Sequence, residues 1–474
     1  MLDRKVINPY YVSPLVLAHM GLEQRSDFTM SLTISETNAK FALDFFRLLS
    51  RAHQYENLLC SPINLITSLG LLLYGTKSDT AAEIEKILHL DELAESELLE
   101  YLEETQSSDP SGNKVSHSDS DKARVPSGSK ERKEASPHSS PSDNKQTPWC
   151  PPCEQVPDYV CDKPEGVHSV MNKILTELNQ PSTDYELSIA NRLFADESIF
   201  FFQKFLYCAL KLYLIEVDRV DIHNAPKDIR KLINLWVEMR TYGKIKNLLH
   251  EDSFNNEAAM LLVNGLYFKG QWEVQFDKEL TKEAPFYFNE VKSKNVQMMC
   301  RKGQYNIGKL KGSEVQILEI PYKNKTLSLF IMLPKDSKIE SLQQLEDELT
   351  HVKLLNLAST LKPEEVRVVI PKLSIEKRIE ANTYFLAHLT DPKKADMSGA
   401  TSTEGAVLTH LFHDAFLEID EEGGQEPEEP QPAKGRHLSR RQPVDFVANR
   451  PFIYYVMHNN TQSLLALGQF TIPE

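Results

Sequence analysis

Leu262-Val-Asn-Gly-Leu-Tyr-Phe-Lys-Gly-Gln-Trp272 decides the reading of this chain. Together with Met260 and Leu261 it begins as a run of apolar and aromatic residues, the composition of a β-strand through Phe268. Runs of the same kind recur on either side. Leu187–Phe194 lies upstream, and Val315–Ile320, Leu327–Leu333, Val366–Ile370, Ala415–Ile419 and Phe452–Met457 lie downstream. Helices are expected mainly in the first part. One opens at Ser35-Glu36 and carries Phe41, Leu43, Phe45, Phe46, Leu48 and Leu49 at helical spacing. A second falls within Asn57–Tyr74 and opens at Ser61-Pro62, with proline suited to the first helical turn. A third spans Asp79–Leu90, and a fourth runs from Ala225 to Arg240, closed by Gly243. Helices early and strands late predict an α+β fold with large sheets.

Composition bounds the function. The 474 residues are 41% hydrophobic and 26% charged, with a formal charge of −15. That is enough apolar material for a core, so a wholly disordered chain is excluded. No uncharged apolar run reaches the roughly 18–20 residues of a membrane helix. The acidic balance argues against a general nucleic-acid binder, which would present a basic footprint. Six cysteines are too few for a disulfide-stapled scaffold. Cys60, Cys208 and Cys300 read as ordinary buried thiols. Residues 106–148 hold 12 serines but no Leu, Ile, Phe, Tyr or Trp, so the insertion 106–166 is expected to be disordered. The amino terminus superficially resembles a secretory leader, but Ser13, Pro14 and His19 interrupt its apolar stretch and Asp3 dilutes its charge. Residues 1–29 are therefore read as an appended tail, with the domain beginning near Met30.

The order and spacing of several blocks resemble the serpins, in their ovalbumin-type branch. The blocks include Asn38-Ala-Lys-Phe41, Asn57-Leu-Leu-Cys-Ser-Pro62, Leu187-Ser-Ile-Ala-Asn191 and Thr241-Tyr-Gly-Lys-Ile245. The opening stretch continues the series, followed by Lys394-Ala-Asp-Met-Ser-Gly399, Glu418-Ile-Asp-Glu-Glu-Gly423 and Arg450-Pro-Phe-Ile-Tyr-Tyr455. The resemblance implies one serpin domain over 30–474, interrupted by 106–166, with large mixed sheets, surrounding helices and an exposed reactive-centre loop within 421–445. It implies no enzymatic activity, no cofactor, a monomer, and a cytoplasmic place, with the nucleus and extracellular release as alternatives. Ser61, Asn264 and His413 would form a structural polar cluster under the main sheet, with Trp272 near the top of the same opening. Asn64 stands where relatives usually have serine, and Ala381–Asp396 is several residues short. Partners would be serine proteases of trypsin-like specificity.

In that family a protease cleaves the loop, which then inserts into the sheet as a central strand. Insertion requires backbone donors and small side chains at alternate positions. The hinge here reads Glu421-Glu-Gly-Gly-Gln-Glu-Pro-Glu-Glu-Pro-Gln-Pro-Ala433. With Gly424 inward, Glu426, Glu428, Pro430 and Pro432 face the core. Burying a carboxylate costs several kcal/mol, and Pro427, Pro430 and Pro432 each remove a ladder donor. The sum exceeds roughly 5–10 kcal/mol, which favours a substrate-like loop over a trap. An active inhibitor of a trypsin-like protease is the alternative, cleaved in the region Arg436, His437, Leu438, Arg440 and Arg441.

Two motifs stand apart. Trp149-Cys-Pro-Pro-Cys153 resembles a thioredoxin-like redox pair, but a serine-rich tract replaces the strand that chemistry needs. Cys150, Cys153, Cys161 and His168 give a zinc alternative in which only the first pair has ligand spacing. Ordinary linker thiols are the preferred reading, so no metal is expected. Asn324-Lys-Thr326 and Asn459-Asn-Thr461 match the glycosylation sequon, which matters only in a secreted chain.

Overall fold

The structure, a computed structural model, describes residues 22–92, 158–422 and 442–473. All the elements described belong to one unit, which resumes at Val160 after the segment Glu95–Tyr159. The 106–157 part of the insertion, with Cys150 and Cys153, lies outside the described residues. So do Gly423, Gly424, Glu426, Pro427, Glu428, Pro430 and Pro432, and the scissile region Arg436, His437, Leu438, Arg440 and Arg441.

Helix α1 runs from Leu22 to Ala52. It starts well before the expected Ser35, because neither glycine nor proline interrupts Leu22–Ala52. From Phe41 to Leu49 it buries Phe41, Ala42, Phe45, Phe46 and Leu49. Strand β1 (Leu58–Cys60) precedes α2 (Pro62–Gly75), in which Pro62 takes the first helical position and Ser61 the N-cap. Helix α3 covers Ser78–Ile87, shorter at its end than the expected Leu90, and α4 covers Val167–Leu178. Helix α5 (Gln203–Tyr213) and α6 (Pro226–Arg240) follow, with Gly243 beyond α6 at φ +75°. Segment Ala381–Thr383 is one 3₁₀ turn.

Strands β2 (Tyr185–Asp196), β3 (Glu216–Val220), β4 (Met260–Gly270), β10 (Leu373–Glu380) and β11 (Leu408–Ile419) make a five-stranded sheet ordered β10-β11-β4-β2-β3. Strands β2 and β3 are parallel, joined by α5 as a βαβ crossover. A second, nine-stranded sheet holds the remaining strands. Among these are β6 (Ser293–Lys309), β8 (Leu327–Leu333), β13 (Phe452–His458) and β14 (Ser463–Phe470). Strands β8, β13 and β14 are buried throughout, so this sheet is the main apolar mass.

One expectation about cysteine is corrected. Cys161 and Cys208 are joined in a disulfide, so Cys208 is not an ordinary thiol and Cys161 is not a linker thiol. The bond ties the segment before α4 to α5. It also removes Cys161 from the zinc alternative. His168 is engaged elsewhere, against the Tyr213 hydroxyl and edge-on to the Tyr74 ring. No group of three or more potential metal ligands occurs among the described residues.

Candidate functional site at the β4–β11 seam

The seam between β4 and β11 is the only place in the five-stranded sheet where two long strands distant in sequence run parallel: Leu408 pairs with Met260 and Leu417 with Phe268. It is closed along this length. Asn191, Asn264 and His413 fall on one row across β2, β4 and β11, because Asn264 is the register partner of both others.

The polar cluster expected from Ser61, Asn264 and His413 resolves into two linked sets. His413 Nε2 accepts the Ser61 backbone N–H at 3.0 Å, so that nitrogen carries no proton. Burial holds the imidazole neutral and drives its pKa down to about 3. The Ser61 hydroxyl does not address His413. It donates to Asn64 Oδ1 at 3.1 Å, and Asn64 Nδ2 donates to the Gly265 carbonyl at 3.0 Å. Separately, Asn264 Nδ2 donates to Ser68 Oγ at 2.6 Å and to Asn191 Oδ1 at 2.9 Å. Asn64 and Ser68, four residues apart, share one face of α2 and pin it to β4. All of Ser61, Asn64, Ser68, Asn264 and His413 are buried. The chemistry is a clasp. A serine hydroxyl paired with an asparagine and an imidazole committed to a backbone amide make no nucleophile–base pair.

The upper end of the seam is held by charge. Lys269 on β4 reaches Glu418 at 2.9 Å and Asp420 at 2.8 Å, and Lys244 reaches Glu418 at 2.8 Å. Burial pulls Lys269 down, yet the two carboxylates outweigh it and its pKa is raised. Trp272 Nε1 donates to the Asp420 carbonyl at 2.7 Å, and the indole stacks on Tyr322 with centroids 4.5 Å apart. Glu421 is 4% exposed. Its carboxylate meets Lys372 at 2.7 Å and accepts from Thr281 Oγ1 at 2.8 Å, which lowers its pKa against the opposing effect of burial. Glu422 pairs with Lys278. The chain leaving β11 is thus fastened at Asp420, Glu421 and Glu422 before it reaches Gly423.

Sequence reasoning missed Asn64's bridging role, Ser68, Lys269, Lys372 and Asp414. Lys269 sits inside the quoted block, and its charge in an otherwise apolar strand was an available signal. Asp414 is fully buried on the opposite face from His413, with both oxygens lacking a hydrogen bond. Arg378 Nε stands 3.7 Å from its carboxylate, while Arg378 Nη2 donates to the Asn247 carbonyl. Burial, aided by Glu376, outweighs that arginine and raises the Asp414 pKa to about 8.

A pH signature follows. A carboxyl raised from 3.8 to about 8 binds a proton in the folded chain that the unfolded chain has released, so its contribution is lost as pH rises through that window. His413, depressed from 6.5, acts oppositely: stability is lost as pH falls below 6.5. The two slopes cancel where they overlap; above 6.5 the loss comes from Asp414, and His89, whose pKa its bond to Asp44 raises, adds to it in the same direction. Chemical denaturation of the wild type is expected to show about 2 kcal/mol lost between pH 6.5 and 8, at about 1.4 kcal/mol per unit. Asp414→Asn should flatten that slope. Equal losses in both proteins would disprove the assignment.

With this geometry in place, comparison defines the class. The family model for serpins (serine protease inhibitors) matches residues 36–123 and 152–473. The chain is 33% identical to human Serpin B3 over 446 residues, covering 93% of this chain and 100% of the relative. It is 28% identical to ovalbumin-related protein Y of Gallus gallus, over 93% of this chain and 100% of that one. A crystal structure of maspin matches with a TM-score of 0.71 at 27% identity, over 94% of this chain and 100% of maspin. Uncleaved ovalbumin matches in fold with a TM-score of 0.70 at 24% identity, over 93% of this chain and 100% of ovalbumin. The chain belongs to the serpin family. Among the described residues no helix is long and apolar enough to cross a membrane.

Proposed function

We propose that this protein is a serpin whose loop is cut by serine proteases without trapping them. The observation that carries the reading is the hinge sequence beyond Glu421. Insertion between β4 and β11 would break the seam pairing and convert the loop into a central strand. With Gly424 inward, Glu426, Glu428, Pro430 and Pro432 enter the core. The opposite parity is no remedy, since it buries Pro427 and Glu429 instead. In either register Pro427, Pro430 and Pro432 remove three backbone donors from a two-sided ladder. A further obstacle stands before the loop: Lys269 on β4 is paired across the seam with Glu418 and Asp420, which a parting sheet must disturb, and Glu421 is anchored to Lys372 beside β10.

Arg436, Arg440 and Arg441 make trypsin-like proteases the expected cutters, and the protein is expected to act as a monomer. The polar set Ser61, Asn264 and His413, with Trp272 above it, serves the sheet mechanically rather than catalytically. Of the expected places (the cytoplasm, with the nucleus and extracellular release as alternatives), extracellular release is the one that Cys161–Cys208 supports, because such bonds persist in oxidising compartments.

Incubation with trypsin tests the reading on a denaturing gel. The expected product is loop-cleaved chain with fully active protease. An SDS-resistant covalent complex at near one-to-one stoichiometry would overturn it in favour of active inhibition.

A further inference from the structure

We propose that Asn324 carries an N-linked oligosaccharide, acquired while the chain folds in the oxidising, membrane-enclosed compartment where Cys161–Cys208 forms. Two independent features converge on this assignment: the cysteine chemistry and the geometry of one sequon.

The disulfide joins two residues 47 apart in sequence and spans a Cα–Cα distance of 5.5 Å. Such bonds persist in oxidising compartments and are rare where glutathione holds thiols reduced. Its formation passes two protons and two electrons from the thiols to an oxidised disulfide-exchange partner of that compartment. The other cysteines among the described residues are shielded, Cys60 being buried and Cys300 half-buried.

The same compartment supplies glycosyl transfer, and the structure discriminates between the two sequons. Asn324 lies in the 3₁₀ turn Lys323–Lys325, exposed and at φ +58°, ahead of β8. Its Nδ2 donates to Asp184 Oδ2 at 2.5 Å. Transfer joins Nδ2 to the anomeric carbon of a lipid-pyrophosphate-linked oligosaccharide; the sugar–phosphate C–O bond breaks and one amide proton departs. The product keeps one N–H, enough for the Asp184 bond. Asn459 is built differently. Its Nδ2 donates to both the Lys325 carbonyl at 2.8 Å and Ser328 Oγ at 3.0 Å. A sugar there would remove one of these, and the Thr461 of that sequon is only 6% exposed. The folded chain therefore tolerates a glycan at Asn324 and resists one at Asn459.

The test expresses the full chain in a secreting eukaryotic cell and follows its gel mobility before and after treatment with an amidase that removes N-glycans. The expected result is one glycosidase-sensitive shift, retained in Asn459→Gln and lost completely in Asn324→Gln. Thr326→Ala also loses it; this variant destroys the sequon while sparing the Asn324 side chain, so misfolding and loss of the acceptor are separated. Absence of any shift, or a shift that survives both substitutions, overturns the proposal. So does a chain whose Cys161 and Cys208 react with maleimide without prior reduction.

Discussion

Replacing Glu426, Pro427, Glu428, Pro430 and Pro432 together with alanine should convert a loop that is merely cut into one that inserts. The penalty removed is roughly 5–10 kcal/mol, from two buried carboxylates and three missing ladder donors. At about 2 °C per kcal/mol, the cleaved variant should melt about 10–20 °C above its intact form. Differential scanning calorimetry before and after limited trypsin treatment reads this directly. Intact stability should change little, since the seam pairing of Met260–Phe268 with Leu408–Leu417 includes none of these residues. A cleaved variant that melts with its intact form would place the block elsewhere, with the Lys269 and Glu421 ion pairs as the next candidates.

The second large effect concerns the disulfide. Cross-linking residues 47 apart restricts the unfolded chain by about 4 kcal/mol in the chain-entropy description. The double variant Cys161→Ser/Cys208→Ala should lose most of that in urea denaturation, and reduction of the wild type should match it. Double replacement is needed because a single variant leaves a free thiol at the other position. The wild type's own denaturation midpoint should fall on adding reductant, while that of the double variant stays fixed. A reductant-insensitive wild type would mean that the bond does not form in solution.

The fold was legible where one physical signal dominated. Ser61-Pro62 marked the start of α2 because a capping position followed by proline has few other uses. Gly243 closed α6 at a positive φ, as a helix end demands. Helix α5 was missed because its surroundings scramble the period: Phe200, Phe202 and Leu210 are all exposed, so apolar residues do not mark the buried face. Strand β6 was missed for the opposite reason. Its 17 residues are largely exposed and polar, leaving only short buried stretches such as Met298-Met299.

The site was legible in its members and not in its wiring. Ser61, Asn264 and His413 could be named from the resemblance, but apart from the direct Ser61–His413 bond the wiring of Ser61 and Asn264 runs through Asn64 and Ser68, which only packing of α2 against β4 brings into reach. Asp414 was invisible because β11 is covered on both faces at that point, so no alternation separates a buried carboxyl from an exposed one. The partner of Cys161 could not be read at all, since spacing does not fix connectivity.

The central claim, that the loop is cut without entering the sheet, rests most directly on one quantity: the melting temperature of the wild-type chain before and after cleavage within Arg436–Arg441. An unchanged value is predicted, because the seam from Met260 to Phe268 stays paired with Leu408–Leu417 and gains no strand. A rise of about 10 °C or more on cleavage would contradict the account.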